Sequence, residues 1–177
     1  MSISSRDILL LQSLKGFGNA AIRRIVAAVT QCNMCCIDDL YEILVKLCNS
    51  SKIRAQLPTR EDLSLAADNA DRIIKHSEDL GITMFTCVED SFPSRLLETV
   101  SEKGKQDVPV LVHCLGNLDV LGKPSLTVIG TRNPDDAGVK AAEYFSSEFA
   151  NQGVNIVSGL AIGCDSIAHE AALSVNG

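Results

Sequence analysis

The stretch SLTVIGTRNPDDAG (residues 125–138) decides the fold, together with VNIVSGLAIGCD (residues 154–165), which follows after one helical segment. Each stretch begins with a short apolar run and passes into glycine and small polar residues. A strand, a helix and a second strand at this spacing are typical of the βαβ unit of a parallel sheet. The two segments therefore predict two turns at the carboxyl edge of such a sheet, where anionic ligands bind.

The first turn, GTRNPDDAG, matches neither of the two commonest phosphate loops. A dinucleotide fingerprint needs GxGxxG and a P-loop needs GxxxxGK followed by Ser or Thr, and both spacings are absent. The turn offers Arg132 instead, whose planar guanidinium suits a phosphate. Gly130, Thr131 and Asn133 flank it just before Pro134 opens a helix, whose first N–H groups favour anions. These residues predict a phosphate site.

The second turn, SGLAIGCD, follows the next strand, so we expect Ser158, Gly159 and Gly163 to face the same crevice. Asp165 is predicted either to cap the last helix or to orient Arg132. His169 lies four residues after Asp165 on the same helix face, a spacing that also suits a base and its orienter. A supporting role for both is favoured over catalysis. The alternative for the glycines is that they only allow the helix to pack closely on the sheet.

The first part of the chain has the period of amphipathic helices. Three helices are predicted within residues 5–48 and a longer one over residues 60–80. The hairpin LKGFGNAAIRRI between the first two resembles a helix-hairpin-helix element, in which Gly16, Gly18 and Arg23 form a possible DNA phosphate contact. The alternative is a hairpin that only packs two helices together.

Two further strands are predicted, ITMFTC and VPVLVHCLG. The second is of the nearly continuous apolar kind found where both faces of a sheet are covered. We expect an N-terminal helical domain over residues 1–58, a connecting helix, strand and loop over 59–108, and a Rossmann-like domain over 109–177. In the last helix, Ile167, Ala171 and Val175 are expected to point inward.

The predicted fold class is α/β: a helical domain of helix-hairpin-helix or SAM-like type, followed by a Rossmann-like, doubly wound parallel sheet. Such sheets have roughly five or six strands in their usual orders, more than this sequence supplies. We therefore expect that the 177 residues are a truncated piece of a longer chain, or that another chain completes the sheet.

The composition argues against several classes of protein. The net charge of −6 argues against a generally basic nucleic-acid coat, although it leaves room for a local basic pocket. Seven cysteines without a secretory signal indicate reduced thiols and a cytoplasmic protein, and no apolar run is long enough to span a membrane. Cys32, Cys35 and Cys36 resemble half of a zinc site, but the second pair of ligands is missing, which favours free thiols. No cofactor and no metal are expected.

In the two turns and the helix that follows them, the chain resembles the DNA-processing protein A family, also called DprA or Smf. The family pattern is close to VGSR or VGTR, then SGLARGID and AHxxAL, and this chain has VIGTR, SGLAIGCD and AHEAAL. VPVLVHCLGNLDVLGKP resembles the family's lead-in to its Rossmann strand, and FPSRLLE its YPxxLxx element. LLLQSLKGFGNAAIRRIV resembles its N-terminal helical module, so the likeness runs through nearly the whole chain.

The resemblance implies a non-enzymatic protein that binds single-stranded DNA in natural transformation and loads a RecA-type recombinase, typically as a homodimer. The family's arginine in the GSR or GTR turn contacts DNA and corresponds to Arg132. Ile162 and Cys164 stand where the family usually has Arg and Ile, which removes one positive charge from the crevice. Two other classes remain open: a Rossmann-like enzyme for a nucleotide or phosphoribosyl group, and a module that binds only a protein partner.

Overall fold

The computed structural model describes residues 3–30, 37–50 and 52–175. The chain divides into two compact units, Met1–Gly116 and Asn117–Gly177. This division differs from the domain boundary at residue 108 that the sequence suggested. The difference arises because residues 109–116 contain a strand whose partner lies in the first unit.

The first unit consists mainly of helices, as the periodicity predicts. Its elements in chain order are α1 (Ser5–Ser13), α2 (Asn19–Thr30), α3 (Ile37–Asn49), α4 (Arg60–Asp79), β1 (Thr83–Thr86), the short α5 (Ser94–Leu97) and β2 (Leu111–Cys114). Capping boxes begin two of the helices: Ser4 with Asp7 at α1 and Thr59 with Asp62 at α4. Each box satisfies N–H groups that the first helical turn leaves without partners.

The core of the first unit is built from aliphatic side chains that recur at helical spacing. The most deeply buried large residues of α1, α2 and α3 are Ile8, Leu10, Leu11, Ile22, Ile25, Val29, Leu40 and Leu44. From α4 the core receives mostly alanine, with Ala66, Ala67 and Ala70 beside Leu63. Because alanine is small, α1 and α4 pack closely against each other.

The strand predicted at residues 108–116 forms, but its setting differs from the expectation. β2 pairs antiparallel with β1, from Thr83 opposite Cys114 to Thr86 opposite Leu111. Its side chains are half-buried or exposed, so the strand is not covered on both faces. Val108 and Val110, just before β2, are buried instead, and Val110 belongs to the helical core. The apolar run therefore reflects contact with the helices and not a place in a parallel sheet.

The second unit contains the predicted βαβ arrangement. A 3₁₀ helix (Leu118–Gly122) is followed by β3 (Ser125–Thr127), α6 (Asp136–Asn151), β4 (Asn155–Val157) and α7 (Cys164–Ser174). β3 and β4 are parallel neighbours, from Ser125 beside Asn155 to Thr127 beside Val157. The prediction of an α/β fold with a helical N-terminal part is confirmed, and the described residues contain two strands of the parallel sheet.

Helices α6 and α7 contact each other extensively. The buried residues of α6 are small: Ala142, Ser146 and Ala150. In α7 the buried face runs through Cys164, Ala168 and Ala172, whereas the predicted inward residues Ile167, Ala171 and Val175 are only half-buried. The buried face is thus one residue out of register with the prediction. None of the helices within the described ranges is long and apolar enough to cross a membrane.

Candidate nucleic-acid interface

The two turns singled out from the sequence leave the sheet at the same edge. After β3, the N–H of Val128 donates to the carbonyl of Val157 at 3.0 Å. After β4, the hydroxyl of Ser158 donates to the carbonyl of Val128 at 2.6 Å. Because these bonds join the ends of the two strands, the two turns lie next to each other, as the sequence predicts. The Ser158 hydroxyl already uses its proton in this contact.

The second turn packs directly on the backbone of the first. The N–H of Cys164 donates to the carbonyl of Thr131 at 3.1 Å. A Cβ atom at Gly163 would lie 2.5 Å from that carbonyl oxygen and 2.6 Å from the carbonyl of Arg132, and one at Gly130 would lie 2.5 Å from the sulfur of Cys164. Gly130 and Gly163 are therefore required by close packing, which supports the structural explanation of these two glycines.

Arg132 lies at the tip of the first turn, exposed to solvent. Within residues 3–30, 37–50 and 52–175, no carboxylate forms an ion pair with its guanidinium. The backbone beneath it is held by the contacts of Gly163 and Cys164. The turn thus presents an exposed guanidinium with five N–H donors, on a backbone held by contacts with the second turn.

The start of α6 is not an open anion site, contrary to the simplest expectation for a helix in this place. The carboxylate of Asp135 accepts from the N–H of Gly138 at 2.8 Å and caps the helix. Asp136 adds a second negative charge in the first turn. The N–H of Asn133 donates to the hydroxyl oxygen of Thr131 at 3.2 Å. An anion near this turn is therefore attracted by Arg132 and not by the helix dipole.

Asp165 organises the second turn, a role different from both of those predicted for it. Its buried carboxylate accepts from the N–H of Gly159 at 3.1 Å and from that of Ala161 at 3.4 Å. It does not cap α7, whose N-cap Gly163 has no side-chain cap. No hydrogen bond or ion pair between Asp165 and Arg132 is found in the described part of the chain. The amide of Gly159 is consequently already satisfied.

His169 is half-buried on α7. No hydrogen bond joins it to Asp165 among the described residues, so the pair at helical spacing is not assembled as a base and its orienter. The described residues also contain no group of three or more His, Cys, Asp or Glu side chains placed to hold a metal ion. Cys32, Cys35 and Cys36 lie outside the described residues.

Apolar side chains are exposed at the two turns, which the sequence did not predict. Ile129, Leu160 and Ile162 are 76%, 79% and 80% exposed. Leu160 also has a positive φ of 57°, which costs a residue with a Cβ roughly 1–2 kcal/mol. For Leu160 and Ile162 the available signal was their position between Gly159 and Gly163 in a turn, where an apolar side chain has no core to enter. These residues give both turns exposed apolar side chains.

The N-terminal hairpin has contacts that explain most of its predicted site residues. Gly16 has a φ of +87°, and a Cβ there would lie 3.3 Å from the Cβ of Ala55. Arg23 donates to the carboxylate of Asp107 at 3.0 Å and to the carbonyl of Val108 at 2.8 Å. Gly18 has open space around it. Since the guanidinium of Arg23 is engaged within the unit, these contacts support a hairpin that packs helices together.

Comparison with known proteins gives one consistent result. The model of the family described as DNA recombination-mediator protein A matches residues 83–177. The chain is 40% identical over 93 residues to DNA processing protein DprA of Streptococcus pneumoniae, covering 52% of this chain and 30% of the relative. It is 38% identical over 86 residues to Protein Smf of Escherichia coli, covering 49% of this chain and 21% of the relative.

The X-ray structure of DprA from Streptococcus pneumoniae is similar over 100% of this chain and 56% of that chain, with a TM-score of 0.69 and 27% identity. The chain therefore spans only a part of the length of the proteins it matches. The resemblance seen in the VIGTR and SGLAIGCD turns is confirmed, because both lie within the matched region. With more than half of its residues matched by the family model, the chain belongs to the DNA recombination-mediator protein A family.

Proposed function

We propose that this chain binds single-stranded DNA without sequence preference and that Arg132 is the principal phosphate ligand of the second unit. The observation that carries the proposal is the exposed guanidinium of Arg132, free of carboxylates in the described structure, at the carboxyl edge of a parallel sheet. Membership of a family described as DNA recombination mediators supports DNA as the anion. A contact to the phosphate backbone carries no base information, which accounts for the absence of sequence preference.

The distribution of charge around the turns favours a single phosphate contact and not a broad electrostatic surface. Asp135 and Asp136 stand three and four residues after Arg132 and repel a second phosphate from the start of α6. Leu160 and Ile162 provide an exposed apolar surface against which a base can rest. Aliphatic contact of this kind tolerates every base, as stacking on aromatic side chains does in other single-strand binders.

The wider role that we propose follows the family. The chain, as part of a cytoplasmic homodimer, protects incoming single strands in natural transformation and passes them to a RecA-type recombinase. It performs no reaction of its own and needs no cofactor. The name recombination mediator supports this role. The engagement of Asp165 with backbone N–H groups supports the absence of catalysis, because this carboxylate forms no hydrogen bond with His169 among the described residues.

The test is the affinity of the protein for a fluorescein-labelled oligo(dT), followed by fluorescence anisotropy over a range of salt concentrations. We expect Arg132→Ala to weaken binding by roughly tenfold or more, the value of one lost charge-assisted contact. The slope of log affinity against log salt should become shallower by about 0.7, the share of one single-strand phosphate. Arg132→Lys keeps the charge but loses the planar fork, so its affinity should lie between those of the wild type and Arg132→Ala.

Lys140→Ala is the matched control, because it removes one exposed positive charge from α6 of the same unit. If Arg132→Ala behaves like Lys140→Ala, the assignment of the phosphate site is wrong. If a mononucleotide competes as well as the oligonucleotide does, the enzyme alternative is favoured over strand binding.

A further inference from the structure

A groove of about 770 Å³ lies in the first unit. Its walls come from three separated segments of the chain: residues 13–17 of the hairpin, residues 54–59 and residues 62–72 of α4. Each segment contributes one basic residue, respectively Lys15, Arg54 and Arg72, and all three are exposed.

The arginines of this unit differ in whether a carboxylate engages them, and Arg24, outside the groove, donates instead to the carbonyl of Lys52. Three arginines elsewhere in the described part of the unit form ion pairs with carboxylates: Arg6 with Asp71 at 2.6 Å, Arg23 with Asp107 at 3.0 Å and Arg60 with Asp38 at 2.5 Å. Arg54 and Arg72 form none within the same residues. Arg72 donates only to the neutral side chain of Asn69, at 2.8 Å.

The groove has one acidic residue, Asp62, and its carboxylate is occupied. One oxygen accepts from the N–H of Thr59 at 2.8 Å and from its hydroxyl at 2.7 Å. Asp62 is thus the capping partner of α4, and it forms no ion pair with a cation of the groove within the described residues. The lining of the groove carries a formal charge of +2, in a chain whose net charge is −6.

We propose that this groove binds the phosphate backbone of single-stranded DNA, as a contact surface of the first unit in addition to Arg132 in the second. The inference rests on the proposed function. Cations on three separate segments suit a series of linked phosphates better than one small anion. Phe17, the aromatic residue of the lining, is only 5% exposed and is not available for stacking. Binding in the groove is therefore electrostatic, indifferent to sequence and sensitive to salt.

The experiment uses the whole chain and the same oligo(dT) anisotropy assay. The triple variant Lys15→Ala, Arg54→Ala, Arg72→Ala removes the groove cations. The control Lys46→Ala, Lys75→Ala, Lys103→Ala removes three exposed charges of the same unit that do not line the groove. Circular dichroism and thermal melting establish that both proteins fold. If the Ala triple does not fold, a triple Gln variant at the same groove positions replaces it, because Gln retains more of each side chain.

We expect the groove triple to flatten the salt dependence by about 2 in the log–log slope, from three phosphates at roughly 0.7 each. The loss of affinity between 50 and 200 mM salt should then shrink by about 20-fold relative to wild type. The control triple should change the salt dependence much less. The effect of Arg132→Ala should persist in the groove triple, since the two surfaces contact different phosphates.

Several results overturn the proposal, and they are distinguishable. If the wild-type chain binds no oligo(dT) at low salt, the proposed function fails and this inference fails with it. If Arg132→Ala weakens binding but the groove triple matches its control, the groove alone is wrongly assigned. If the groove triple loses affinity for a poly-glutamate peptide and not for oligo(dT), the groove is a protein-docking surface instead.

Discussion

Replacing Gly163 by alanine should separate the two turns at which we propose the phosphate site. The backbone of Gly163 has a φ of 96° and a ψ of −132°, a region that is essentially restricted to glycine. The added Cβ would lie 2.5 Å from the carbonyl oxygen of Thr131 and 2.6 Å from the carbonyl of Arg132. Both neighbours are backbone atoms, so neither moves without shifting the turn.

The expected cost has two parts. Backbone strain at such a φ and ψ costs about 1–3 kcal/mol, and overpacking in a closely packed site costs about 1–3 kcal/mol more. We expect a loss of about 4 kcal/mol in the free energy of unfolding. A unit the size of Asn117–Gly177 is stable by roughly 3–9 kcal/mol, so the substitution consumes about half of its stability or more.

Gly153→Ala is the matched control. Gly153 also has a positive φ, +78°, but a Cβ there meets nothing within 4 Å. Its substitution measures backbone strain alone, about 1–2 kcal/mol. Because strain at a positive φ affects both variants, a larger loss at Gly163 reports mainly on the contact between the turns.

The assay follows the second unit alone. The chain has two tyrosines and no tryptophan, and Tyr41 lies in the first unit whereas Tyr144 lies on α6. In a Tyr41→Phe background, tyrosine fluorescence during urea unfolding reports on the second unit. If Gly163→Ala and Gly153→Ala shift the unfolding midpoint equally, the two turns do not pack as described.

Three further substitutions test other parts of the structure. Asp165→Ala removes the acceptor of two N–H groups and should cost the second unit about 2 kcal/mol in urea unfolding, whereas Asp165→Asn, which keeps an oxygen acceptor, should cost less. The backbone N–H and hydroxyl of Thr59 hold the pKa of Asp62 below its usual value. The stabilisation from this cap is present above about pH 4 and is lost as pH falls through the lowered pKa. Asp62→Asn should therefore reduce the acid-induced fall in the stability of the first unit, and an unchanged pH profile would contradict the capping role. Gly16→Ala should destabilise the first unit by about 1–2 kcal/mol because its φ is +87°, and Gly18→Ala, with no positive φ and open space around it, should have a smaller effect on the thermal midpoint.

Local patterns in the sequence were enough to predict the helices of the first unit and the βαβ arrangement of the second. Apolar residues at helical spacing, such as Ile22, Ile25 and Val29 in α2, indicate which face of a helix is buried, and that face is buried in the structure. The strand ends at the two turns were also predictable, because short apolar runs change there to glycine and polar residues. These features depend on neighbours only a few positions apart.

Local patterns fail where the outcome depends on residues far apart in the sequence. The hairpin sequence suggested Arg23 as a possible DNA contact, but Asp107, which engages it, lies 84 positions away. The apolar run at residues 108–116 did not reveal that its strand pairs with β1 or that Val110 joins the helical core. In α7 the inward face is shifted by one residue, because the short helix packs through small residues that carry little hydrophobic signal.

The sequence by itself determined that two glycine-containing turns follow neighbouring strands and that Arg132 is the basic residue of the first turn. Only the tertiary structure decided which polar groups remain available to a ligand. It engages Asp165 with the second turn, caps α6 with Asp135 and leaves Arg132, Arg54 and Arg72 without carboxylate partners in the described residues. The physical reason is that hydrogen bonds and ion pairs are short-ranged, so the path of the chain decides which groups meet.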